Sequence, residues 1–140
     1  MSDDFKKNLD LALGNAKRLS NKILIDGKLI SAKSSNKIKV VNPSTGEQIG
    51  EAPQCDKHDV DVAVSSAETA FHKWKKIPAR ERGKMMTAAA RKLEERRSEI
   101  ETLLALDTGN ALRTQAKPET AASIELTHMF AGLAGEIKGE

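Results

Sequence analysis

Strand-like patterning in this 140-residue chain is confined to residues 22–52, and everything else that is periodic is helical. Lys22-Ile23-Leu24-Ile25 is a short β-prone run, Asp26-Gly27 carries the two-residue signal of a type I′ turn, and Lys28-Leu29-Ile30 resumes the run. After the polar loop Ser31–Asn36, Ile38-Lys39-Val40-Val41 alternates. Asn42-Pro43-Ser44-Thr45-Gly46 then brings a fixed proline φ and a permissive glycine, and Gln48–Ala52 completes a second antiparallel hairpin. Since no strand signal follows residue 52, no βαβ unit closes inside the chain. The apolar faces of the later helices must therefore pack on each other or on a surface supplied from elsewhere.

Those faces are legible from spacing. Phe5, Leu9, Ala12, Leu13 and Ala16 form one stripe on a helix from Asp3 to about Leu19, which Gly14 weakens by about 1 kcal/mol. Asp56 is placed to cap a second helix, Asp59 puts charge in its first turn, and Val60, Ala63, Val64, Ala67, Ala70, Phe71 and Trp74 make its apolar face. Pro78 ends that helix and opens another, with Met85, Met86, Ala89 and Leu93 expected inward and Arg80, Glu81, Arg91, Glu94 and Glu95 in water. Ser98 is expected to cap a helix from Glu99 to about Leu106, with Gly109 ending it. Pro118 opens a last helix to about Ile137, with Ala122, Leu126, Met129, Phe130 and Leu133 inward. The expected segment is thus two small β-hairpins followed by about four α-helices.

Function classes narrow by exclusion. Twenty-three Lys and Arg against 20 Asp and Glu leave a net +3, too small a surplus for a strong field on nucleic acid. Arg91–Arg97 looks basic, but glutamates interleave and no aromatic side chain is present to stack on a base. No run of about 18 apolar residues offers a membrane span, and the acidic start Met1-Ser2-Asp3-Asp4 fits neither a secretory signal nor a transit peptide, so a cytoplasmic protein is expected. Cys55 and His58 have a C-x2-H spacing, but structural zinc needs four ligands and only His72 and His128 remain as nitrogen donors. Cys55 as a nucleophile would need a placed base and oxyanion donors, which the sequence does not supply. Gly132, Gly135 and Gly139 follow a helix, whereas a phosphate loop lies between a strand and a helix start. Composition and spacing alone assign no catalytic or cofactor-binding residue.

Several ordered words do point further. Ile25-Asp26-Gly27-Lys28 leads to Val41-Asn42-Pro43-Ser44-Thr45-Gly46-Glu47, which resembles a V-N-P-x-T-G-E segment. Asp59–Val64, Ala70-Phe71-His72-Lys73-Trp74 and Pro78-Ala79-Arg80-Glu81-Arg82 follow, similar to A-x-x-A-F-x-x-W and P-x-x-x-R. Leu103–Asn110 is like L-x-x-x-D-T-G-K with Asn110 in the basic position, and Phe130–Glu140 ends the match. From about Leu24 to Glu140 the chain resembles the N-terminal portion of the aldehyde dehydrogenase superfamily.

The resemblance implies an α/β parent enzyme with a Rossmann-type NAD(P)-binding domain. Residues 1–20 would be an N-terminal helical extension and 21–140 the first part of that domain, about a third or less of the whole. The implied reaction oxidises an aldehyde to a carboxylic acid with NAD or NADP, through a thiohemiacetal on cysteine, hydride transfer and thioester hydrolysis. In the family the nucleophilic cysteine, base glutamate, oxyanion asparagine and nucleotide loop lie downstream of the matched region, and Cys55 matches none of them. The chain alone is therefore expected to be inactive and to hold no dinucleotide tightly. Its implied partners are an aldehyde, the remainder of its own chain and further copies in a homo-oligomer, with no nucleic acid and no membrane. In some members a monovalent cation is held near the residue before N-P and by the aspartate of D-T-G, here Val41 and Asp107. The alternative role for Asp107 is to order the turn at Thr108-Gly109. A different reading of the whole is a stand-alone helical interaction module that dimerises through Val60–Trp74 and Ala121–Leu133.

Overall fold

The computed structural model describes residues 3–136. The expected helix end at Ile137, Gly139, the rest of the Ile137–Glu140 match and Met1-Ser2 lie outside the described residues. Helix α1 (Asp3–Leu19) leads into strands β1 (Lys22–Ile25), β2 (Lys28–Ser31), β3 (Lys37–Val41) and β4 (Gln48–Pro53). Helices α2 (Lys57–Trp74), α3 (Ala79–Glu95), α4 (Arg97–Thr108) and α5 (Lys117–Leu133) follow, with a π-helical turn at Leu112–Ala116 before the last.

The strands form two separate antiparallel hairpins, as the turn residues predict. Asp26 (φ 51°) and Gly27 (φ 71°) are both left-handed, the backbone a type I′ turn requires. The second hairpin pairs Lys37 with Pro53 through to Val41 with Gln48, with a bulge between Val40 and Val41. Its turn is organised by the buried Asn42, whose Oδ1 accepts from the Ser44 amide at 2.9 Å and whose carbonyl accepts from Gly46 at 2.8 Å.

Helix α1 buries its predicted stripe: Ala12 has no exposure, and Phe5, Leu9, Leu13 and Ala16 are half-buried. It lies on α4 and β4. At its end the Asn21 amide donates to the Glu51 carbonyl at 2.8 Å, and the Glu51 amide donates to Ser20 Oγ at 3.0 Å. Helix α2 starts in a full capping box, with Asp56 Oδ1 accepting from the Asp59 amide and Asp59 Oδ2 from the Asp56 amide.

Three expectations are corrected. The break between α3 and α4 falls at Arg96 (φ −107°, ψ 15°), and Ser98 lies inside α4 without capping it. The helical ladder resumes at once, Ile100 donating to the Arg96 carbonyl at 3.0 Å, so only one residue leaves helical geometry. The π-helical turn was not anticipated. Pro118 cannot donate a hydrogen bond, and its ring would collide with the carbonyl four residues back in a tight α-turn; a wider turn just before it relieves both.

The third correction concerns which faces point inward. Helix α3 meets α5 through small residues: a Cβ added at Gly83 would stand 2.6 Å from the Ala131 carbonyl oxygen, and Ala90 and Ala131 are buried. Met86 is half-buried as expected, but Met85, Ala89 and Leu93 on α3 are exposed, as are Ala122, Leu126, Met129, Phe130 and Leu133 on α5. The same holds on α2 for Val60, Val64, Phe71 and Trp74. Helices α3 and α5 each carry a small-residue stripe and a bulky one. Close backbone approach selects the small stripe, which leaves the bulky side chains outside.

Candidate functional site

Two turns far apart in sequence are brought into contact. A Cβ on Gly109 (φ 73°) would lie 2.7 Å from Pro43 Cγ and 3.4 Å from Ser44 Oγ, so the V-N-P and D-T-G segments sit against one another. Val41 ends β3 and is exposed, and Asp107 lies exposed in the last turn of α4. Asp107 also lines an open apolar cleft of about 400 Å³ with Leu19, Val40, Ile49, Leu103 and Leu104.

The turn after α4 is held by other groups. The Gly109 amide donates to the Ala105 carbonyl at 3.0 Å, Thr108 Oγ1 donates to Leu104 at 2.7 Å, and the Asn110 amide donates to Thr108 Oγ1 at 3.2 Å. Among the described residues the Asp107 carboxylate has no hydrogen-bond or ion-pair partner.

The other candidates remain apart. Cys55 is exposed in the link between β4 and α2, His58 and His72 lie on α2, and His128 is on α5. Among the described residues no group of three or more His, Cys, Asp or Glu is placed to hold a metal.

The electrostatically perturbed carboxylates are pinned at structural joints. Glu99, 8% exposed, is held below the usual glutamate range by Arg96, whose Nη2 donates to Oε1 at 2.6 Å and whose Nε donates to Oε2 at 3.0 Å. Asn15 of α1 donates to the same carboxylate at 2.7 Å, which fastens α1 to α4. Asp59 is held low chiefly by the Lys33 amide at 2.8 Å, with help from the Asp56 and Ser34 amides, and so fastens the loop after β2 to α2. Glu51 is lowered by Lys37 across the second hairpin at 2.8 Å. Each of these carboxylates braces two segments of the chain, Glu99 and Asp59 through several donors and Glu51 through the Lys37 ammonium.

Two of these roles escape sequence reading. The D-x-x-D spacing of Asp56 and Asp59 signals a capping box, but not the long-range Lys33 contact. Arg82, the arginine of the P-x-x-x-R segment, donates from Nη1 to the Ile77 carbonyl at 2.8 Å and ties the corner between α2 and α3.

Comparison with known proteins agrees with this arrangement. The profile described as the aldehyde dehydrogenase family matches residues 29–140. The human cytosolic 10-formyltetrahydrofolate dehydrogenase is 32% identical over 124 residues, covering 87% of this chain. An aldehyde dehydrogenase of Enchytraeus buchholzi is 31% identical over 122 residues, covering 85% of this chain. A crystal structure of betaine aldehyde dehydrogenase from Staphylococcus aureus in complex with NAD+ is 30% identical, with a TM-score of 0.86 over 95% of this chain. The chain spans 14% and 24% of the length of those two relatives and 27% of that crystallised chain. By profile, by identity and by fold, the chain belongs to the aldehyde dehydrogenase family.

Proposed function

We propose that this chain serves as the N-terminal part of an NAD(P)-dependent aldehyde dehydrogenase, an enzyme that oxidises an aldehyde to a carboxylic acid, and that the chain alone does not catalyse the reaction. The observation that carries the reading is the set of bulky apolar side chains left outside on α2, α3 and α5, among them Phe71, Trp74, Met85 and Phe130. A soluble protein does not leave such contiguous faces uncovered without a partner. In an α/β enzyme, helices present faces of this kind to a parallel sheet.

Among the described residues no glycine-rich turn joins a strand to a helix start, and Gly132 and Gly135 stand at the far end of α5. The proposal therefore assigns cofactor and chemistry to the remainder of the enzyme, and a scaffold role to these residues. It includes a cytoplasmic, homo-oligomeric enzyme. At the junction of the two turns, the Val41 backbone oxygen and the unpartnered Asp107 carboxylate are the proposed ligands of a monovalent cation, which prefers oxygen donors.

The test is NAD(P)+ reduction, followed by absorbance, with short aliphatic and aromatic aldehydes. The purified chain is expected to give no turnover, and measurable reduced cofactor would overturn the proposal.

A further inference from the structure

Beside the Gly83–Ala131 seam, α3 and α5 leave an open groove of about 430 Å³. One wall is a single stripe of α3 that carries Arg80, Lys84 and Arg91, and the other is the end of α5 with Gly132 and Gly135. At the helical rise, the eleven-residue step from Arg80 to Arg91 places the two guanidinium stems about 16 Å apart. Neither arginine has a hydrogen-bond or ion-pair partner among the described residues. Lys84 pairs with Glu81 at 2.7 Å, an exposed i,i+3 contact of little worth. Among the described residues Glu136 is the only carboxylate on the lining. The glycine wall is open: a Cβ on Gly132 would meet nothing within 4 Å, and one on Gly135 would meet only the Arg80 side chain.

We propose that this groove binds an acidic peptide segment of a partner protein, in extended form, with carboxylates taken by Arg80 and Arg91. Guanidinium groups hold carboxylates in bidentate geometry, which lysine cannot reproduce. Arginine stems rooted about 16 Å apart along one helix exceed the span of a small anion but match about five extended residues. The glycine wall lets a main chain lie close, and no aromatic side chain lines the groove to stack on a nucleic-acid base.

The test is fluorescence anisotropy of labelled hexaglutamate titrated with the 140-residue chain. Saturable binding is expected, weakened roughly tenfold or more by the double variant Arg80→Gln/Arg91→Gln. Gly132→Phe, whose Cβ meets nothing within 4 Å and whose ring projects from the groove wall, is expected to block it as well, and Lys6→Gln/Lys7→Gln on α1 to leave it unchanged. Circular dichroism checks that each variant is folded, and if the arginine variant unfolds, Gly132→Phe decides alone. Absence of saturable binding would overturn the proposal, as would equal loss in the α1 variant. A thymidine oligonucleotide that competes as strongly as unlabelled hexaglutamate would also overturn it, by reducing the groove to a general polyanion surface.

Discussion

At the scale of single residues, stability rests on a few positions where backbone geometry and charge leave no slack. Gly109 is left-handed at φ 73° and presses on Pro43, so Gly109→Ala combines a strained conformation with a Cβ placed 2.7 Å from Pro43 Cγ. It is expected to cost about 1–2 kcal/mol in urea denaturation for the conformation alone, and more with the collision. Glu99 behaves differently because its carboxylate is depressed in the folded state by Arg96. Its contribution is complete above the unfolded glutamate value near 4.5 and is lost as pH falls through the lower folded value. Glu99→Gln should therefore flatten the decline of stability on the acid side of pH 4.5, measured by thermal melts across pH. Asp107 is the residue on which the cation proposal turns. Potassium should raise the melting temperature of the native chain by mass action and leave Asp107→Asn unmoved; an equal rise in both would remove the site.

Individual elements show what patterning can and cannot specify. Turn chemistry at Asp26-Gly27, Asn42–Gly46 and Gly109 is local, so both hairpins and the end of α4 were legible from residue identity. The capping box at Asp56 was half-legible: its side chain acts on neighbours, but the Asp59 carboxylate also reaches Lys33 across 26 positions. Periodicity found the stripes of α3 and α5 but not which of them is inside, because that choice depends on the neighbouring helix. Gly83 and Ala131 make the close approach possible, and it excludes the bulky stripe. The consequence is a reversed ranking of substitutions. Gly83→Ala should destabilise the chain by about 1–3 kcal/mol through overpacking against the Ala131 carbonyl. Met85→Gln and Phe130→Gln, on the outward stripe, should each stay within about 0.5 kcal/mol. Chemical denaturation of the three variants separates the two arrangements.

For the molecule as a whole, the family was legible because its words are turns and corners: V-N-P-x-T-G-E, P-x-x-x-R and D-T-G all fall where chain direction is fixed. The contact of Pro43 with Gly109 brings the first and last of these together, while Arg82 holds the α2–α3 corner. The candidate cation ligands could be named from the resemblance, but the meeting of their turns emerges only once α1, β4 and α4 have packed. What results is a framework whose core holds Ile49, Ile124 and several alanines while Phe71, Trp74, Met85, Leu126, Met129, Phe130 and Leu133 stand outside. The central claim, that these outer faces belong against the remainder of an aldehyde dehydrogenase, is tested most directly by binding of an apolar fluorescent dye across the size-exclusion peak of the purified chain. The account predicts a monomer that binds the dye strongly. A stable dimer that excludes the dye would contradict it and establish the chain as a self-contained interaction module.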